Sequence, residues 1–264
     1  MNKYWVYFVV SFKNTLAYKA DFIIHIIANM IFFFIYFALW KNIYTASGVT
    51  EISNYSLSQT ITYYFIVALI FRFDPVDSMC LGNMIWNGNF TNDLIKPWNA
   101  IFVDIVYTFN QLSLSILLYI PFGLFIFTTA HQYINISSPA NLIYFLVTVA
   151  LGIFLAMSFY YIIHAFCFRF GDQNANIGLI GYIVAFLAGG FFPLAFLPGA
   201  LKTIFYLMPF RFLFDVPTNI YLGKIAPSEI FLSWGQMILW TILFFSIFYM
   251  VYKTGIKKYT GTGR

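Results

Sequence analysis

Six apolar segments constrain this chain more than any other feature. They run over about residues 21–41, 57–78, 100–128, 141–168, 176–197 and 230–252, each near the ~20 residues that a helix needs to cross a bilayer. Unpaired backbone N–H and C=O groups cannot face hydrocarbon, so each segment is expected to be helical. Only 9% of the 264 residues are charged and 61% are hydrophobic, whereas about a quarter of a soluble domain is charged. The chain reads as one all-α transmembrane domain over residues 1–264. Its start, MNKYWVYFVVSFKNTLAYK, has neither the clean apolar core nor the small-residue cleavage site of a secretory signal, so the N-terminus is expected to be retained.

Six spans put the two termini on the same side, and the basic residues say which side. With the termini inside, ten of the 14 Lys and Arg residues fall on inner segments, and Lys41, Lys202, Arg211 and Lys224 fall outside. This asymmetry predicts cytoplasmic termini. Residues 1–20 place Trp5, Phe8, Val9, Phe12 and Leu16 on one helical face, with Asn2, Lys3 and Asn14 roughly opposite, the pattern of an interfacial helix. The same topology places a polar island, MCLGNMIWNGNFTNDLIKPWN from Met79 to Asn99, in the cytoplasm between the second and third spans.

Residues 191–230 are too apolar for a free extracellular loop. Pro193, Pro198, Pro209, Pro217 and Pro227 nevertheless divide them into pieces too short to span, so a re-entrant or interfacial helical hairpin is expected on the outer side, before the last span. Arg211 and Asp215 stand four apart and would meet on a helix.

Several chemistries find no support. The phosphate-binding pattern G-x-x-x-x-G-K-[ST] does not occur, so nothing in this chain is expected to hold a nucleotide. His25, His131 and His164 have no second ligand three or four residues away, and no metal is expected. No nucleophile motif accompanies a base, which argues against an enzyme. The formal charge of +5 comes from scattered single Lys and Arg residues that do not interleave with aromatics in a solvated groove, so nucleic acid is not an expected partner. The two cysteines, Cys80 and Cys167, read as packing residues. The abundance of Asn, Ile, Phe, Tyr and Lys fits an AT-rich bacterial genome, and hence a bacterial cytoplasmic membrane.

Charges near spans carry a functional default because burying one in a bilayer costs about 3 kcal/mol or more. Arg72, Asp74 and Asp77 cluster where the second span should leave the membrane, and Asp104 lies one to two turns into the third. They read as partnered charges at the inner interface or as a polar gate below a substrate cavity. Tyr63, Tyr64, Phe191 and Phe192 suit a pathway for amphipathic cargo or, equally, a core or lipid-facing surface. Gly181, Ala185 and Gly189 recur every four residues on the fifth span, a small-residue stripe for helix packing or for a second copy.

Two runs resemble motifs of the permease subunits of type-2 ATP-binding-cassette exporters. IWNGNFTNDLIKPWN (Ile85 to Asn99) is similar to the element I-x-x-G-x-[LF]-x-x-x-L-x-[KR]-P, departing from the commoner pattern at Thr91 and Asn92, where acidic residues are frequent. Pro193 to Gly223 is similar to the hairpin P-x-x-x-x-P-x-x-L-x-x-I-x-x-x-x-P-F. The resemblance implies that residues 79–99 form a coupling helix seated in a groove of a separate ABC ATPase. Ile85, Gly88, Phe90, Asp93, Leu94, Lys96 and Pro97 are its coupling candidates, with Phe90, Leu94 and Ile95 as apolar anchors. It also implies a second permease, identical or related, surrounding membrane lipid, spans two and five along the pathway, and ATP with magnesium in the partner subunit, with no cofactor in this chain. Read from the residues alone, an ATP-independent channel or secondary transporter is the alternative, and it would show internal repeats and helices broken at mid-membrane.

Overall fold

The computed structural model of the chain describes residues 3–15, 19–96, 98–170 and 174–260. Among them, α1 (Lys3–Thr15) and α2 (Lys19–Ser47) lead into a hairpin of β1 (Glu51–Ile52) and β2 (Tyr55–Ser56). The helices α3 (Leu57–Ile70), α4 (Leu81–Trp86), α5 (Phe90–Leu94), α6 (Ala100–Ala130) and α7 (Pro139–Phe170) follow. The chain closes with α8 (Asn174–Leu187), α9 (Gly199–Leu207), α10 (Asp215–Tyr221) and α11 (Pro227–Ile256).

Among the described residues four stretches are long and apolar enough to cross a membrane: Ile26–Ser47, Ala100–Tyr133, Pro139–Arg169 and Pro227–Ile256. The expected second and fifth spans are shorter. α3 and α8 have 14 residues each, about 21 Å of helix against a hydrocarbon core of ~30 Å. Their ends have local causes. After Ile70 the chain tightens into a 3-10 turn, and Asp74 takes the extended conformation (ψ 121°) that a following proline favours, its carboxylate accepting from Val76 N at 3.1 Å. α8 stops at a left-handed glycine: Gly189 has φ +86°, its N–H donates to Phe186 O (3.3 Å), and Gly190 N donates to Ala185 O (2.7 Å). This is the Schellman arrangement, which satisfies the last carbonyls of a helix that ends inside an apolar run.

Loops gather at two ends. At the hairpin end, Ser53 and Asn54 both have positive φ, the type I′ geometry that matches the twist of two short strands. Ser56 then starts α3 with a capping box, its hydroxyl accepting from Gln59 N while its own N–H donates to Gln59 Oε1, both at 3.2 Å. Ser58 donates to Tyr133 O (3.0 Å) and Asn135 Oδ1 (2.7 Å), joining the α3 start to the α6–α7 loop. The opposite, island end holds α1, α4, α5 and the tail of α11.

α7 is the central pillar, packing along α11 and also against α10 and α4. Trp234 Nε1 on α11 donates to the buried Thr148 hydroxyl at 2.8 Å, fixing the register of the long pair. α1 lies on α6 through the Tyr4–Phe102 edge-to-face contact (4.6 Å) and through Asn110, whose Nδ2 donates to Phe8 O at 2.6 Å. Leu16, expected on the same face, lies outside the described residues.

Candidate functional site

The island folds into two short helices hinged at Gly88, whose φ of +75° makes the turn. One face points inward. Leu81, Ile85 and Phe90 are buried, and Phe90 is fully enclosed by edge-to-face contacts with Phe168 of α7 (5.7 Å), Tyr252 of α11 (6.4 Å) and Tyr259 (5.6 Å). The opposite face carries Leu94 and Ile95, which are 45% and 78% exposed. Phe90 therefore cannot be an apolar anchor for a partner: its ring is already used to fasten the island to its own spans. Ile85 is likewise committed inward. Asp93 is buried and Lys96 pairs with it at 3.4 Å, while the Lys96 ammonium lies 4.7 Å from the Trp98 ring centre. Pro97 lies outside the described residues.

Two polar clasps tie α4 to the spans behind it. The Asp104 carboxylate of α6, 1% exposed, accepts from Cys80 N, Cys80 Sγ and Tyr161 OH, each at 2.9 Å. Gly82 N donates to His164 Nδ1 at 3.0 Å, and a Cβ at position 82 would collide with that same nitrogen. Glycine is required there by the closeness of α7. Asp104, read as a partnered charge, has these partners, and both cysteines pack inside the chain, Cys80 beside Asp104 and Cys167 beside Gly82.

Other predicted residues come together elsewhere. The Arg72 guanidinium lies 5.6 Å from the Tyr119 ring centre on α6, and the Tyr119 hydroxyl accepts from Asn29 Nδ2 of α2 at 2.7 Å. Asp74 accepts from Tyr160 OH at 3.4 Å. These contacts make Arg72 and Asp74 joints between helices. Tyr63 and Tyr64 do not line a pathway in this structure: they are buried, with Tyr63 OH donating to Gly189 O (2.7 Å) and Tyr64 OH to Phe191 O (3.0 Å). Phe191 and Phe192 pack on Phe71 and Phe186, respectively. The stripe Gly181, Ala185 and Gly189 also faces its own chain. Val76 sits against Gly181, and a side chain at Gly189 would press on Tyr63 and Asp215, so the stripe serves internal packing and leaves Leu179, Tyr182 and Ile183 on the outer face of α8.

At the hairpin end the expected Arg211–Asp215 pair is absent among the described ion pairs. The chain turns 3-10 at Pro209–Phe212, which aims the Arg211 guanidinium at the rings of Tyr206 (5.2 Å) and Phe212 (4.9 Å). Asp215, outside the spanning helices, instead accepts from Leu194 N at 3.2 Å and Tyr63 OH at 3.4 Å. Burial pushes its carboxyl up to about 6, against the opposing pull of the Leu194 N–H and the Arg211 charge. Tyr55 OH donates to Asn219 Oδ1, and burial together with the charge of Asp215 raises the Tyr55 phenol. The signal for this network was a lone Asp in an apolar, proline-broken segment. Its partners come from positions more than 150 residues upstream as well as from the neighbouring turn.

Among the described residues no group of three or more His, Cys, Asp or Glu side chains could hold a metal ion. The arrangement offers joints between helices and exposed apolar side chains. A family model described as ABC-2 family transporter protein matches residues 13–263. The comparison with curated proteins gives no match.

Proposed function

The chain belongs to the ABC-2 family of transporter proteins, and from that premise we propose that it is the permease subunit of an ATP-driven exporter, working as a homodimer or beside a related permease and driven by a separate ATPase. In this reading the island end faces the cytoplasm, as the basic residues predict, and the α4–α5 island is the coupling element. One observation carries the proposal: the island is locked to the spans on one face and presents Leu94 and Ile95 to solvent on the other. A solvated apolar tip on a rigid mount is what a groove on a partner can grip.

Mechanism follows from the mount. ATP binding closes the two ATPase subunits and displaces the island. Phe90 passes the displacement to α7 and the tail of α11, Asp104 passes it to α6 through Cys80, and His164 passes it to α7 through Gly82. α3 is joined to the island by 3-10 turns and meets the end of α8 through Phe71 and Phe191. Movement of that joint shifts the permease between inward and outward states, and transport requires that the two states differ in affinity for cargo.

The test is affinity purification of the tagged chain from native membranes in mild detergent, wild type beside Leu94→Glu/Ile95→Glu. A nucleotide-binding subunit should accompany the wild type and be lost from the variant, while the variant melts within a few degrees of the wild type. Absence of any ATPase from wild-type preparations that preserve other membrane complexes overturns the proposal, and solute flux through the chain alone would then be measured.

A further inference from the structure

Two hollows at the hairpin end share three residues. A polar chamber of about 630 Å³ lies among the β-hairpin, α9, α10 and the start of α11, and Lys202, Arg211 and Lys224 are on its wall. An apolar slot of about 340 Å³ continues from it along α11, past Leu239, Trp240 and Leu243. Tyr206, Arg211 and Gln236 line both. The slot follows α11 from Gln236 to Leu243, about 10 Å, and its far end lies 16 residues beyond Pro227, about 24 Å from the helix start and at a depth that acyl chains occupy.

Cations outnumber carboxylates on the chamber wall by three to two. The Lys202 ammonium and the Arg211 guanidinium both sit over the Tyr206 ring, at 5.5 and 5.2 Å, and among the described residues neither makes an ion pair. Arg211 Nε is buried and has no hydrogen-bond partner. Lys224 is occupied, donating to Asn54 O at 2.5 Å and lying 4.0 Å from the Tyr55 ring centre. Two carboxylates share the wall: Asp215, buried and held by Leu194 and Tyr63, and Glu229, exposed at the rim. Two cations converging on one tyrosine, with an unused buried N–H, form a receptor for an anion. The slot adds room for a hydrocarbon tail.

We propose that the Lys202–Tyr206–Arg211 chamber and the α11 slot together bind an anionic phospholipid, with its phosphate at the two cations and one acyl chain along Leu239 and Leu243. Charge complementarity selects the headgroup, and the exposure of Leu239 and Leu243 on the outward face of α11 lets the chain enter sideways from the bilayer. The inference stands apart from ATP coupling and is tested on the permease alone.

Delipidated protein in detergent is titrated with phosphatidylglycerol and with phosphatidylcholine of the same acyl composition, and bound lipid is counted by native mass spectrometry. Wild type should take up phosphatidylglycerol about tenfold more tightly, the scale of a charge-assisted phosphate contact. Lys202→Gln and Arg211→Gln should each bring the two lipids to near parity. Equal uptake of both lipids by wild type, or a preference that survives in Lys202→Gln, overturns the site. Displacement of the lipid by glycerol phosphate at equal concentration would make this a receptor for soluble anions and overturn the lipid assignment. Lys202 is half-exposed, so its variant decides the matter even where Arg211→Gln lowers the melting temperature.

Discussion

The island end and the hairpin end are both assembled from helices too short to cross a bilayer and both lean on a buried carboxylate, Asp104 in one and Asp215 in the other, yet they turn different faces outward. The island adds to its Asp104 and His164 clasps a set of interlocked aromatic rings around Phe90, and it leaves aliphatic side chains, Leu94 and Ile95, facing out. The hairpin is fastened by a buried carboxylate, Asp215, and turns its cations towards a chamber. Ring packing is non-directional and leaves no polar group to satisfy, whereas a buried carboxylate is bound by hydrogen bonds that must all be kept. The ring cluster lets the island hold its shape with few polar partners, while the hairpin end depends on each hydrogen bond to Asp215.

The sharpest way to break this comparison is Phe90→Glu. It places a carboxylate among three aromatic residues and should cost more than about 4 kcal/mol, enough to abolish a monodisperse peak in detergent size-exclusion chromatography. Ile95→Glu at the solvent face should leave that peak intact. If both variants behave alike, the island is not anchored by Phe90.

Next in size, Asp215→Leu strips the acceptor from Leu194 N and should cost about 1–3 kcal/mol, read as a lower melting temperature. Asp215→Asn keeps an acceptor and should be close to neutral. The two also sharpen the pH behaviour. With the folded-state carboxyl raised to about 6 from an ordinary 3.8, its contribution is fully present below pH 4 and is lost as the pH rises through 6. Wild-type melting temperature should fall over that window, and Asp215→Asn should flatten the fall. An unchanged slope in Asp215→Asn would remove Asp215 as its source.

Gly82→Ala probes the clasp at the island end. The added methyl meets His164 Nδ1 and should cost about 1–3 kcal/mol, and Gly82→Ala/His164→Ala should recover part of it. Additive losses in that cycle would mean that the two residues do not touch. The smallest effect belongs to Tyr55→Phe, which removes one hydroxyl bond to Asn219 and should lower stability by about 1 kcal/mol.

Much of this architecture was legible in the sequence, because apolar run length and proline spacing report on the bilayer directly. Pro198 caps α9, Pro209 opens the following 3-10 turn and Pro227 begins α11, so these three prolines mark element starts, whereas Pro217, also read as a break, sits within the first turn of α10. The length of α3 and α8 was not legible. Phe71, Phe73, Phe191 and Phe192 prolong the apolar runs past the true helix ends, and hydropathy does not register a Schellman glycine or an extended residue ahead of Pro75. The inward direction of Phe90 was hidden for a different reason: short helices have two plausible faces, and the choice depends on Phe168, Tyr252 and Tyr259, far along the chain. Asp104 could be flagged as costly from its position alone, but its partners on Cys80 and Tyr161 required the fold.

The early ending of α3 and α8 has one more implication. Bending an unbroken helix inside hydrocarbon means stretching rungs of its hydrogen-bond ladder where no water can replace them. Where Phe71 meets Phe191 and Phe214, the ladders have already stopped, and the carbonyls at the end of α8 are taken by its own turn, by Asp215 N and by the Tyr63 hydroxyl. Sliding one aromatic ring over another at that junction stretches no rung of either helix. The middle of the molecule is thus the place where a change of shape asks least of the peptide chain.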